Sequence, residues 1–147
     1  MTQIRKQLPP ITLSTRDADR LDRLAMAAAD KFPRSADFLA QEIARASVVD
    51  AADMRPGVVG MGSKVEYRDD TTGQVRTVTL AYPDQADLDA GRISVLSPVG
   101  AALIGLSVGQ SITWQAPAGG WRSLTILRAD GVAASPPAEA VANPANP

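Results

Sequence analysis

A run of nine residues, from Ser97 to Gly105, constrains the fold of this chain more than any other stretch. Ser97 suits the cap of a helix, because its hydroxyl can accept a hydrogen bond from an N–H group of the first turn. Pro98 suits the first helical position, where its missing N–H costs nothing, and Gly105 suits the left-handed residue that follows a helix. Residues 101–104 are all apolar, so we predict a short helix that is buried against a sheet. The same residues also fit a core crossover with no further role.

Alternation of polar and apolar side chains on both sides of this helix predicts β-strands. Polar residues at 69–73 and glycine-rich residues at 116–120 suit the loops of two hairpins. The predicted fold class is therefore α+β, with a mainly antiparallel sheet of about five strands wrapped on one short helix. A further run of residues that favour β-structure begins at Val58. The predicted strands cover residues 64–68, 75–82, 93–96, 111–115 and 121–127.

Two helices are predicted ahead of the sheet. Ser14 and Asp17 have the spacing of a capping box, so the first helix should run over about residues 15–29. A break follows, and Ser35 can cap a second helix over about residues 36–47. Helices with so short a connection are antiparallel neighbours, which predicts a helical hairpin. Such a hairpin suits simple packing on the sheet and a projecting finger equally well.

The chain is predicted to have three parts. Residues 1–55 hold the short helical hairpin, and residues 56–131 hold the sheet with its short helix. Residues 132–147 contain four prolines and a single charge, at Glu139. So few large apolar side chains cannot compensate the entropy lost on ordering, which predicts a disordered tail.

Composition restricts the chemistry that this chain can perform. It has no cysteine and no histidine, which excludes disulfides, thiol catalysis, imidazole metal ligands and a histidine base. The aspartates at 69–70 and in the loop 84–89 fit solvated turns better than metal ligands, so no metal and no cofactor are expected. A net charge of −1 disfavours nucleic-acid binding and favours a protein partner. No apolar run has membrane length and no signal peptide is recognised, so a cytoplasmic protein is expected.

The run Ser97–Gly105, followed by Val108-Gly109-Gln110, resembles the signature of the C-terminal domain of bacterial Gre transcript-cleavage factors. It is more similar still to the Rnk family, relatives of the Gre factors, and the similarity covers about residues 11–128. The resemblance implies a short antiparallel helical hairpin followed by an FKBP-like sheet domain. It also implies that the sheet domain docks on RNA polymerase, at the rim of the secondary channel, while the hairpin points into the channel.

The resemblance also implies which residues act. The partner-binding residues carried over from the family are Leu96, Ser97, Pro98 and Val99, and the hairpin tip is formed by Asp30, Lys31, Arg34 and Asp37. The Gre tip carries a close acidic pair that helps hold a catalytic magnesium ion, because a dication needs hard oxygen ligands. In this chain Asp30 and Asp37 stand seven residues apart, with Pro33 between them.

The implied function is that of a non-enzymatic regulator that competes with Gre-type factors for polymerase and does not stimulate transcript cleavage. The first alternative is a Gre-like factor that does stimulate cleavage. The second is an FKBP-like prolyl isomerase, which would need an apolar pocket lined by aromatic side chains.

Overall fold

The computed structural model describes residues 8–115 and 120–130. The predicted disordered tail, residues 132–147, lies outside the described residues, as does most of the loop predicted at 116–120. No helix in the described ranges is long and apolar enough to cross a membrane.

The first two helices are consecutive in the chain and contact each other, and this pair is called the hairpin below. Helix α1 (Thr15–Ala28) is capped by Ser14, whose side chain accepts a hydrogen bond from the N–H group of Asp17. Helix α2 (Pro33–Arg45) packs beside it. The prediction that α2 begins at residue 36 with a Ser35 cap is wrong: Phe32 is the cap residue and makes no side-chain cap hydrogen bond. The helix starts earlier because a proline at the first position has helical φ already and lacks only an N–H that would be unpaired there.

A pair of short strands joins the two ends of the hairpin. Strands β1 (Thr12–Ser14) and β2 (Ser47–Val49) run parallel, and Thr12 pairs with Ser47. The prediction that the second helix continues to residue 47 is therefore wrong. Residues 12–14 and 47–49 pair because the two helices bring the end of the hairpin back beside its beginning. No local sequence pattern predicts that pairing.

The main sheet has five strands in the order β5-β4-β3-β7-β6. Every neighbouring pair is antiparallel except β4 and β5, which are parallel. The run predicted from Val58 is not a strand but makes an isolated bridge to Ser107. The five strands are β3 (Lys64–Asp69), β4 (Val75–Ala81), β5 (Arg92–Ser94), β6 (Ser111–Gln115) and β7 (Trp121–Asp130).

Helix α3 (Pro98–Leu103) follows β5 and is buried from Gly100 onward, as predicted. Gly105 has a φ of 80°, the left-handed conformation expected of it. The core that surrounds α3 draws on both the hairpin and the sheet. Its large, fully buried side chains include Ile11, Leu13, Leu21, Leu39, Leu80, Leu103, Ile104, Leu106, Ile112, Leu124 and Ile126.

Candidate functional site

The start of α3 is held by a small hydrogen-bond network centred on Ser97. Its hydroxyl accepts from the N–H group of Gly100 at 3.0 Å and donates to the carbonyl oxygen of Ser94 at 2.6 Å. The backbone N–H of Ser97 donates to the same carbonyl at 3.0 Å. Both the donor and an acceptor position of this hydroxyl are therefore used inside the protein, so Ser97 positions the turn.

Gly100 is required by the packing of α3 on β5. A Cβ atom at this position would lie 2.1 Å from the carbonyl oxygen of Ser94, which is backbone and cannot move aside. The same carbonyl accepts two hydrogen bonds from Ser97. The serine, the glycine and the strand end are thus one rigid unit.

This unit presents Pro98 to solvent. Pro98 is exposed, whereas Leu96, Ser97 and Val99 on either side are half-buried. Val95 before them and Gly100 after them are buried. The predicted docking residues therefore form one continuous turn whose outermost point is Pro98.

The tip residues predicted from the resemblance lie at the connection between α1 and α2. Asp30, Lys31 and Arg34 are exposed, and within residues 8–115 and 120–130 none of them makes a hydrogen bond or ion pair through its side chain. Asp37 lies in the second turn of α2 and accepts a hydrogen bond from the side chain of Gln41 at 2.8 Å. Asp30 thus stands in the connection, whereas Asp37 stands on helix α2.

Sequence reasoning missed that the tip is also apolar. The side chain of Phe32 is 56% exposed, and that of Met26 on the last turns of α1 is 73% exposed. The available signal was an aromatic residue between charged neighbours in a connection that does not belong to either helical stripe.

The base of the hairpin is fixed to the rest of the protein by Asp17. Its carboxylate accepts a hydrogen bond from the N–H group of Met61 at 3.2 Å, in the loop before β3. Burial raises the pKa of Asp17 above its ordinary value, although the Met61 hydrogen bond and the positive charges of Arg16 and Arg20 lower it in part. Asp17 therefore ties α1 to the sheet at the cost of a partly desolvated charge.

A second attachment involves a buried ion pair on α2. Glu42 is 1% exposed, and both of its oxygens accept from the guanidinium of Arg45, at 2.9 Å and 2.8 Å. Arg45 also donates to the carbonyl oxygen of Pro9. The last turns of α2 are thus joined to the segment that leads into β1.

Three of the acidic residues considered as metal ligands, Asp69, Asp70 and Asp87, have internal partners. Asp69 is buried, not solvated as predicted, because it accepts from the N–H groups of Thr71 and Thr72 in its turn and pairs with Arg122 at 2.9 Å. Asp87 accepts from the N–H groups of Asp89 and Ala90 in a 3₁₀ turn. In the part of the chain that the structure describes, no three carboxylates come together in a way that could hold a metal ion.

The two halves of the chain match two family models. Residues 54–130 match the model described as transcription elongation factor, GreA/GreB, C-terminal, and residues 9–49 match the Rnk N-terminus. The regulator of nucleoside diphosphate kinase of Escherichia coli (strain K12) is 40% identical over 119 residues, which are 81% of this chain and 88% of that protein. The chain belongs to the Rnk family.

The Rnk family shares its sheet part with Gre factors. The transcription elongation factor GreA of Thermodesulfovibrio yellowstonii is 42% identical over 80 residues, 54% of this chain and 51% of that protein. A solved structure of a prokaryotic transcription elongation factor GreA/GreB from Nitrosomonas europaea is 39% identical, with a TM-score of 0.65, and covers 84% of this chain and 100% of its own. The mixed helical and mainly antiparallel architecture is therefore a Gre-like fold, and the FKBP-like relation stays a prediction.

Proposed function

We propose that this Rnk-family chain is a non-enzymatic transcription regulator that binds RNA polymerase near its secondary channel and competes there with Gre-type factors. The observation that carries the proposal is the exposed Pro98 at the start of α3, held in place by Ser97 and Gly100. The relation to GreA supports polymerase as the partner, because the matched elongation factors share the sheet part that includes this turn.

The docking turn is suited to binding because it is already ordered. The backbone from Ser94 to Gly100 is fixed by four hydrogen bonds that involve Ser94 and Ser97. Ordering a flexible segment on binding costs conformational entropy, and a turn that is held in its bound shape avoids that cost. Pro98, with Val99 and Leu96 beside it, supplies an apolar surface at the outermost point of this rigid turn.

The hairpin tip supports a regulator that does not stimulate cleavage. A dication needs several oxygen ligands at once. Asp30 stands in the connection next to Lys31, while Asp37 is engaged by Gln41 on α2. We therefore propose that the tip residues Asp30, Lys31, Arg34 and Asp37 occupy space in the polymerase without delivering a metal ion.

Polymerase binding is tested by placing a charge on the docking turn. We expect the full chain to bind purified polymerase at micromolar concentration and Pro98→Glu to bind at least tenfold more weakly, because an apolar contact would then bury a carboxylate. Val75→Glu is the matched control, since Val75 is 53% exposed on β4 away from the turn. Equal affinity of both variants, with native circular dichroism, would contradict this docking surface.

The alternative function, Gre-like cleavage stimulation, is supported by the similarity to GreA and is tested in the same system. The chain is added with magnesium to a backtracked elongation complex, and RNA shortening is followed over time. We expect no acceleration, and we expect Asp30→Ala combined with Asp37→Ala to change nothing. We also expect the chain to slow the cleavage that an added GreA stimulates. Acceleration that the double variant removes would establish the alternative instead.

A further inference from the structure

A groove lies between α1 and the residues that follow β4. It has a volume of about 440 Å³. Its walls combine apolar side chains with charged ones. The lining residues are Arg20, Arg23, Leu24, Tyr82, Pro83 and Asp84.

One wall of this groove carries the guanidinium group of Arg20, which makes no salt bridge in the described part of the chain and has Asp17 as its acidic neighbour. Arg20 lies over the ring of Tyr82, with 4.5 Å between its guanidinium carbon and the ring centroid. Within the described residues it makes no ion pair, whereas Arg23 beside it is paired with Asp19. An arginine stacked on an aromatic ring keeps its N–H groups in the guanidinium plane free to bind a planar anion.

Tyr82 adds a second unmet interaction. Its hydroxyl oxygen is buried and has no hydrogen-bond partner in the described part of the chain. A buried polar group in this state has lost its water and gained nothing in return. An occupant can pair with this hydroxyl only after the Tyr82 side chain moves, because the oxygen is closed to solvent in the free protein.

The surroundings favour a carboxylate on a polypeptide over a phosphate. Leu24 and Pro83 offer apolar contact on the walls, and Asp84 on the rim repels a dianion more strongly than a single negative charge. The chain as a whole carries a net charge of −1, which gives no general attraction for polyanions.

We propose that this groove binds an acidic side chain, flanked by apolar residues, of a protein partner, and that Arg20 is the residue that pairs with the carboxylate. The inference goes beyond the proposed function, because it does not require that polymerase be the partner. The lining contains none of the docking-turn residues 96–99, so separate variants test the two surfaces.

The test uses the full chain, labelled with nitrogen-15, and two synthetic peptides. One peptide alternates leucine and glutamate, and the other has glutamine at each glutamate. We expect the glutamate peptide to shift the amide signals of Arg20, Leu24 and Tyr82, and the glutamine peptide to bind at least tenfold more weakly. Addition of 0.5 M salt, about 3 times a physiological ionic strength, should weaken the glutamate peptide because its ion pair is exposed to solvent.

Variants assign the effect to the guanidinium. Arg20→Gln should reduce the affinity for the glutamate peptide at least tenfold. The affinity of Arg20→Lys should lie between those of Arg20→Gln and the wild type, because lysine keeps the positive charge but has no planar group to stack on the ring. Arg128→Gln is the control, because Arg128 is an exposed arginine on β7 that does not line the groove. Both positions are on the surface, so the three variants should fold.

Four outcomes would overturn the proposal. Equal affinity for both peptides would make the groove a purely apolar site, and tighter binding of inorganic pyrophosphate would make it a phosphate site. Unchanged affinity in Arg20→Gln would remove Arg20 from the site. Self-association of the free chain that Arg20→Gln abolishes, seen by sedimentation, would make a second copy the occupant.

Discussion

Gly105 combines two demands that only glycine meets at once. Its φ of 80° lies in the left-handed region, and a Cβ atom there would lie 2.9 Å from the Cβ of Ile11. Ile11 is itself 1% exposed and cannot withdraw. One residue therefore ends α3 and also lets the segment before β1 pack against it.

Comparison of two glycines separates these demands. Gly109 also has a positive φ, of 91°, but a Cβ there would meet nothing within 4 Å. Gly109→Ala should lower the free energy of unfolding by about 1–2 kcal/mol, the cost of a left-handed alanine. Gly105→Ala should lower it by roughly 1–3 kcal/mol more, because the core is overpacked. Urea unfolding measures both values, and equal losses would show that the contact with Ile11 costs nothing.

Asp17 makes the stability depend on pH in a defined direction. Burial raises its pKa above 3.8 in the folded protein, so the folded state binds this proton more tightly than the unfolded chain. The free energy of unfolding should therefore fall as the pH rises from about 3.8 through the raised pKa. Asp17→Asn keeps an oxygen acceptor for Met61 but cannot ionise, so this part of the pH dependence should disappear.

Unfolding in urea at a series of pH values from 4 to 7 tests this prediction. Asp17→Ala is the companion variant: it also lacks the charge, but it leaves the N–H group of Met61 without its acceptor, at a cost of about 1–3 kcal/mol. If the wild-type and Asp17→Asn curves stayed parallel across this range, the buried carboxylate would have no effect on stability.

At the scale of elements, the position of the hairpin depends on contacts at its base. Met61 in the loop before β3 donates to Asp17 on α1, and Arg45 joins α2 to Pro9 while it pairs with Glu42 on the same helix. The tip, in contrast, is exposed and rich in unpaired charges. The hairpin is thus held at one end and free to meet a partner at the other.

Breaking the ion pair at this base should cost far more than breaking a surface pair. Arg45→Ala leaves the carboxylate of Glu42 buried without a counter-charge, for which we expect a loss of about 3 kcal/mol in the free energy of unfolding. Arg128→Ala removes an arginine that is 71% exposed, 4.0 Å from Asp130, and should cost less than about 0.5 kcal/mol. Chemical unfolding of the two variants provides the comparison, and a loss below about 1 kcal/mol for Arg45→Ala would refute the structural role.

At the scale of the whole molecule, hairpin and sheet share one core. Leu21 on α1 and Leu39 on α2 are fully buried in the same cluster as Leu80 and Ile112 of the sheet. Residues on both sides of the boundary predicted at 55/56 therefore depend on one another for burial. We propose that the two parts fold as one cooperative unit even though they match separate family models.

Two probes test this cooperativity. Circular dichroism at 222 nm reports mainly the helices, and tryptophan fluorescence reports the sheet through the buried Trp114. Their urea midpoints should coincide, and Leu39→Ala should lower both equally, by about 2–5 kcal/mol in stability. Leu88→Ala, at a side chain that is 80% exposed, should change neither. A shift of the helical signal alone would show two independent units.

Local signals were enough to predict several elements. Ser14 and Ser97 were identified as caps, and Gly105 as the residue after α3, because each depends on hydrogen bonds or a φ angle within a few residues. The strand pairs β3–β4 and β6–β7 were also predictable, since a short turn brings their residues together. Patterns of this kind connect residues that are only a few positions apart in the chain. They can therefore be recognised from the sequence alone.

Other features arise only from packing between distant segments. The pairing of Thr12 with Ser47, the bond from Met61 to Asp17 and the burial of Glu42 each join residues that no sequence spacing relates. The groove at Arg20 and Tyr82 likewise forms only where α1 meets the end of β4. A long-range contact depends on how all the elements between its two residues pack. The types of the two residues therefore do not predict it.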